Sequence, residues 1–223
     1  MTIYPVKIKE ATEVNPLMQR YVQWAERQVS RKVKTIVSDN GLGFSNEEMQ
    51  RWYQEKGIVH CPIPPNSSRL NLCERTQQSI VGMSKAMMLE SGFPKSLWVD
   101  ALSTAMSLKN RTYSTVSKKT PYEGMFNNRP DVHHVRKFGA KAYIHVPVSA
   151  SRRKFDHNAN IGYVLGYHEK TAGYKVYVPE SRTTRFVADA RVDESVMFKD
   201  RYAMQLELSS DDCSDESSDT SDS

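Results

Sequence analysis

Residues 3–8 alternate apolar and polar side chains and predict a strand. From Ala11 to Val29 the period changes. Val14, Leu17, Met18, Tyr21, Val22, Ala25 and Val29 recur at helical spacing. Lys32 to Ser38 predicts a short strand, with Val33 and Thr35 on one face and Lys34 and Ile36 on the other, and Asn40-Gly41 then forces a turn. Ser45 followed by Glu48 reads as a capping box opening a helix to about Lys56, which Gly57 ends. Ile58 to Ile63 is a further strand, stopped by Pro64-Pro65. A polar loop over 66–71 leads into a helix from about Leu72 to Ser91, with Ile80, Met83, Met87 and Met88 on its apolar side. Gly92 closes it, and Pro94 opens another helix from Lys95 to Asn110. This order is that of an α/β layer architecture.

After Pro130 the pattern shifts to short strands: 138–146, 161–167, 174–178 and 184–188, separated by Gly and Pro turns. That spacing suggests a small barrel. The expected organisation is an α/β body over 1–126, a linker over 127–134, a barrel over 135–199 and an acidic Ser/Asp-rich tail over 200–223. The Ser/Asp stretch has too few apolar residues to bury and is expected to be disordered.

Charge sharpens this division. The net charge of +5 conceals an acidic end: Asp211, Asp212, Asp215, Glu216, Asp219 and Asp222 face no basic residue between Ser209 and Ser223. Residues 1–208 therefore carry 31 basic side chains against 20 acidic ones, an excess that favours polyanions. A merely soluble basic surface is the plainer alternative. No apolar run is long enough to span a bilayer, and the first residues lack a signal-peptide core. Cys61, Cys73 and Cys213 have no CxxC spacing, so a reducing compartment, nucleus or cytoplasm, is the expectation.

The candidate chemistry rests on two acids. Asp39 ends an apolar strand and Glu74 opens a long helix, which is how polynucleotidyl transferases place two of three metal-holding carboxylates. Each acid also has a plain reading. Asp before Asn-Gly favours a turn, and Glu in a first helical turn is favoured by the macrodipole. On the helix, Glu74, Gln78 and Lys85 fall on one stripe, with Arg75 beside it. That stripe could follow a DNA backbone or could be an ordinary solvated face, and Arg69 in the preceding loop is a candidate phosphate contact. In the barrel, Arg152-Arg153-Lys154, Arg182, Arg185 and Arg191 accompany Tyr163, Tyr167, Tyr174 and Tyr177. Basic residues among aromatics can bind nucleic acid, and small barrels also need aromatics as core. Trp98 and the Met83, Met87, Met88 cluster read as packing.

The chain resembles the integrase of copia-type LTR retrotransposons. The matching pieces are Ser38-Asp39-Asn40-Gly41, Cys73-Glu74-Arg75, Gly92-Phe93-Pro94-Lys95-Ser96-Leu97-Trp98 and Asn110-Arg111-Thr112. They continue with Lys119-Thr120-Pro121-Tyr122-Glu123, Phe138-Gly139-Ala140-Lys141-Ala142-Tyr143 and Gly162-Tyr163-Val164-Leu165-Gly166-Tyr167. Each piece is weak alone; their order over about residues 3–198 carries the likeness. The resemblance implies an α/β, ribonuclease H-like core that lacks its opening strands, followed by an SH3-like β-barrel and the acidic tail. It implies an Asp, Asp, Glu triad holding Mg²⁺ or Mn²⁺, with Asp39 as the second acid and Glu74 as the third. The first acid belongs before the residues present, so the two-metal clamp is expected to be incomplete. Glu10, Glu13 and Glu26 lie on or beside the first helix and are poor substitutes. The family's His/His/Cys/Cys zinc module is absent, and His133-His134 has no cysteine nearby.

Two local departures stand out. The family's Asp-Asn-Gly-Gly-Glu-Phe reads Asp39-Asn40-Gly41-Leu42-Gly43-Phe44 here, so an acid is replaced by Gly43. The loop before Glu74 is one residue shorter and has Asn71 where the family has Gly. The implied function is that of a retrotransposon integrase fragment that binds DNA and is inactive by itself. The alternative is a domesticated, non-enzymatic module binding nucleic acid or protein. Self-association through an open sheet edge is expected, and no membrane partner.

Overall fold

The computed structural model describes residues 2, 4, 11–38, 44–63, 72–145, 159–167 and 173–201. Of the expected strand over 3–8 only Tyr4 is described, and of the acidic tail over 200–223 only Asp200 and Arg201. The chain divides into two compact units: Met1–Gly82 with Ala105–Asp131, and Met83–Thr104 with Val132–Ser223.

In the first unit, α1 (Ala11–Val29) is followed by β1 (Thr35–Ser38), α2 (Glu47–Lys56) and β2 (Val59–Pro62). β1 and β2 run parallel, from Thr35 opposite Val59 to Ser38 opposite Pro62. The strand is shorter than the sequence suggests. Ile36 points inward and joins Val22, Met49, Trp52, Tyr53 and Ile58 in one apolar cluster. The other face carries Thr35, Val37, Val59 and Cys61, all exposed. The helix start also differs from expectation. Asn46, not Ser45, caps α2, its side chain accepting from the Met49 amide at 3.0 Å. Asn15 of α1 explains the choice. It is buried, donates to Glu48 at 2.8 Å, and exchanges hydrogen bonds with the Asn46 amide. Gly57 ends α2 at φ +65° as its sequence position suggests. Glu26 accepts from the Val33 amide and pairs with Lys32, so it secures the turn into β1. That bond holds its carboxyl below the usual range.

α3 (Leu72–Ser91) has the bounds its periodicity predicts. The next helix begins as a single 3₁₀ turn, Lys95–Leu97, before α4 (Trp98–Arg111). A further short helix, α5 (Pro121–Phe126), has a full Thr120/Glu123 capping box.

The second unit holds a five-stranded antiparallel sheet in the order β6-β5-β4-β3-β7. Its strands are β3 (Ala140–His145), β4 (Ala159–Tyr167), β5 (Tyr174–Val178), β6 (Thr183–Val187) and β7 (Ala190–Met197). β7 has no counterpart among the strands that the alternation suggested. β6 and β7 lie at opposite edges, yet only Ala188 and Asp189 join them. That link reaches about 11 Å at most, whereas the outer strands of a flat five-stranded sheet stand about 19 Å apart. The sheet must therefore curl, as a barrel does. Ala142, Val164 and Val176 fill its inside, with Ile144, Val187, Ala190 and Val192 around them.

The segment 83–104 packs with this sheet. Phe93 and Ala101 share a buried cluster with Phe138, Tyr163, Leu165 and Phe198, and Met87 and Met88 pack against it. Met87 and Met88 of the expected methionine cluster are thus packed against the core, whereas Trp98 is 53% exposed rather than packed. A bulge in β4 between Val164 and Gly166 turns the Leu165 carbonyl toward α4, where buried Thr104 donates to it at 2.6 Å. Gly166 makes room for this: a Cβ there would lie 2.6 Å from the Thr104 hydroxyl.

Candidate functional site

The acidic site can be followed as far as its two supporting elements. β1 and β2 are parallel neighbours, so both carboxyl ends lie on one side of the ladder. In the sequence Asp39 is one residue beyond the end of β1, and Glu74 is twelve residues beyond the end of β2. Asp39 and Arg69 lie outside the described residues. Glu74 stands exposed in the first turn of α3. Arg75, Gln78 and Lys85 are exposed on the same helix, while Ile80 and Ser84 on its other side are buried. Glu13 is exposed on α1, and Glu26 is committed to Val33 and Lys32. Among the described residues no three His, Cys, Asp or Glu side chains gather into a metal-holding group.

One arrangement beside Asp39 is not legible in the sequence. Ser38 Oγ lies 2.8 Å from His60 Nε2 on the paired strand, and the Gln50 amide is 3.4 Å from His60 Nδ1. The Ser38 carbonyl also accepts from the Ile63 amide at 2.8 Å. The end of β1 that leads to Asp39 is thus fixed by both side-chain and backbone bonds to β2.

In the sheet unit the expected aromatic set is largely core. Tyr163 is buried, and desolvation pushes its hydroxyl pKa up. Tyr167, Tyr174 and Tyr177 are half-buried. On the strands themselves the exposed rings are Tyr143 and Phe186. The sequence contained a signal for Tyr143. Ala140 and Ala142 are small, inward positions, so Lys141 and Tyr143 must alternate outward. Lys141 Nζ lies 5.0 Å from the centre of the Tyr143 ring, and Lys175 Nζ lies 5.9 Å from that of Phe186. Arg182 and Arg185 are exposed on the outer strand region, and Arg152, Arg153 and Lys154 lie outside the described residues.

A groove of about 820 Å³ opens beside Tyr143, lined by Arg136, Arg191, Val192, Asp193 and Glu194. Arg136 is held firmly. Its guanidinium donates to the carbonyls of His133 and Val135, and its backbone exchanges hydrogen bonds with the Tyr167 hydroxyl. The two acids face local donors: Asp193 accepts from the Ser195 amide and hydroxyl, and Glu194 from the Lys137 amide at 2.7 Å. The Ser195 bonds, aided by Lys141 and Arg191, hold the Asp193 carboxyl below its ordinary range.

This sheet falls in a recognised class: residues 140–206 match the retroviral polymerase SH3-like domain. Over most of its length the chain is similar to the Pol polyproteins of retrotransposons. It is 30% identical over 179 residues, 79% of its length, to the retrovirus-related Pol polyprotein from transposon TNT 1-94 of Nicotiana tabacum. It is 26% identical over 190 residues, 83% of its length, to that from transposon RE2 of Arabidopsis thaliana. The chain spans 13% of the length of each of these two relatives. The HTLV-2 integrase catalytic core domain, solved in complex with magnesium, is similar at 20% identity and a TM-score of 0.41, covering 53% of this chain and 72% of that one. Among the described residues no helix is long and apolar enough to cross a membrane.

Proposed function

We propose that this chain is an integrase segment of a retrotransposon Pol polyprotein. It binds DNA through its basic body and supplies the second and third acids, Asp39 and Glu74, of a site that joins a 3′-hydroxyl to a target phosphodiester. The observation that carries this reading is the 30% identity over 179 residues, a span longer than either compact unit. The local topology supports it. Both acids follow the carboxyl ends of neighbouring parallel strands, where open α/β sheets place their ligands.

Carboxylates are the hard oxygen donors that Mg²⁺ and Mn²⁺ take. A pair of such ions, when bound, activates the attacking hydroxyl and offsets charge on the leaving oxygen. Two acids leave that clamp incomplete, so the 223 residues by themselves are expected not to join DNA. A first acid would have to come from another stretch of polypeptide. The bare face of the β1–β2 ladder, with Val37 and Val59 more than half exposed, is in keeping with a parallel sheet that packs a further layer on that face or self-associates through it.

The test is a strand-transfer assay with Mg²⁺ or Mn²⁺ beside a salt titration of duplex binding. Joining is expected to stay at the level of an Asp39→Asn, Glu74→Gln double variant, while affinity falls steeply with salt. Joining that the double variant lacks would overturn the incompleteness. A flat salt dependence would overturn DNA binding.

A further inference from the structure

We propose that His60 is a positioning residue for the acid that follows Ser38. Its imidazole, held by α2, grips the Ser38 hydroxyl and so fixes the end of β1 from which the Asp39 carboxylate would meet a divalent metal. This rests on the metal reading of Asp39 and Glu74 above and adds a residue to it.

The placement follows from the ladder. Ile36 and Ser38 of β1 share one face with Ile58 and His60 of the neighbouring chain, whereas Val37, Val59 and Cys61 stand exposed on the other. Met49, Trp52 and Tyr53 of α2 cover the first face and pack on Ile36 and Ile58. At the carboxyl end of that face the apolar pair gives way to serine and histidine. A polar pair on a packed face brings a desolvation cost that packing alone does not require.

His60 is fixed on three sides. Its ring centre lies 4.9 Å from that of buried Tyr53, with 31° between the planes. The Gln50 amide nitrogen is 3.4 Å from Nδ1, and Ser38 Oγ is 2.8 Å from Nε2. An amide nitrogen only donates, so Nδ1 accepts and the ring proton sits on Nε2, donating to the Ser38 oxygen. The Ser38 carbonyl is held as well, accepting from the Ile63 amide at 2.8 Å. With side chain and carbonyl both tied to the neighbouring chain, the last peptide before Asp39 has little freedom to turn. A carboxylate that holds a metal gains affinity from such fixing, because less order is lost on binding.

The experiment is a Mn²⁺ titration of the full 223-residue chain, read by the paramagnetic resonance of free Mn²⁺ and counting only binding that Asp39→Asn removes. His60→Phe keeps a ring against Tyr53 but has no nitrogen for Ser38. It is expected to weaken that binding about 10–100-fold, the usual loss when hydrogen-bond partners around a metal's ligands are removed. His60→Gln returns a donor to the reach of Nε2 and is expected to restore most of the affinity, which a packing role would not do. Ser38→Ala removes one oxygen and leaves the ring in place. It should match His60→Phe, and the double variant should be no weaker than either single one. Should His60→Phe fail to fold by circular dichroism, Ser38→Ala decides alone. Wild-type affinity in Ser38→Ala, or equal loss in His60→Gln and His60→Phe, overturns the positioning role and leaves the metal site standing. No Asp39-dependent Mn²⁺ binding by the wild type overturns both.

Discussion

Gly139→Ala places a methyl group where the chain has no room for one. Gly139 has φ +86°, its N–H donates to the Val164 carbonyl at 2.7 Å, and its carbonyl accepts from Phe198 at 2.9 Å. A Cβ at this position would lie 2.4 Å from the Ser91 Cβ and 3.2 Å from its Cα. Ser91 is completely buried at the end of α3, and its hydroxyl is engaged with Met88 and Phe93, so it cannot swing aside. The left-handed backbone costs an ordinary residue about 1–2 kcal/mol. Forcing a methyl into a packed contact costs about 1–3 kcal/mol more. Together these come to about 2–5 kcal/mol, or a drop of about 10–30 °C in the melting of a unit this size. Gly82→Ala is the control. It lies inside α3 with nothing within 4 Å of the added carbon. Removing glycine from a helix interior there should stabilise by about 0.5–1 kcal/mol. Thermal melts followed by near-ultraviolet circular dichroism compare the two variants with the wild type. A Gly139→Ala midpoint within a degree of wild type, or a larger loss for Gly82→Ala, would refute the reasoning.

Asn15→Ala should destabilise the first unit by about 0.5–1.5 kcal/mol, because it removes the hydrogen bonds from a buried side chain to half-buried Asn46 and exposed Glu48; urea unfolding followed by Trp52 fluorescence measures it. Thr104→Val leaves the Leu165 carbonyl buried without its donor and should cost about 1–2 kcal/mol, read by hydrogen exchange across β4. Glu123 is held below the ordinary carboxylate pKa, chiefly by the Thr120 amide. Its contribution to the α5 cap is therefore full above the unfolded value and is lost as pH falls through the depressed folded value. An acid titration of the Thr120 amide shift should follow that loss; a shift that moves only near neutral pH would contradict it.

The elements legible in the sequence are those governed by local periodicity. α1 and α3 have the bounds that apolar spacing predicts, and Gly57 and Gly92 stop helices where glycine tolerates positive φ. The strand sets of the SH3-like sheet were legible for the same reason, apart from β7. Its segment, Ala190–Met197, carries Arg191, Asp193, Glu194 and Ser195 and shows little apolar alternation, because much of it faces solvent at a sheet edge. Asn46 displaced Ser45 as the α2 cap because Asn15 arrives from 31 residues away to fix it.

The sequence alone therefore determined the four longer helices, most strands, the basic body and the two acids with their family resemblance. The helices and strands follow from neighbours within a few turns of chain, and the resemblance from the order of short motifs along it. Only the tertiary structure decided that 83–104 packs with the sheet unit, that Tyr163 is core while Tyr143 is exposed, and that Arg136 is tethered beside a groove. Those outcomes depend on which surfaces meet across long sequence separations, and burial there is fixed by packing that no local pattern encodes.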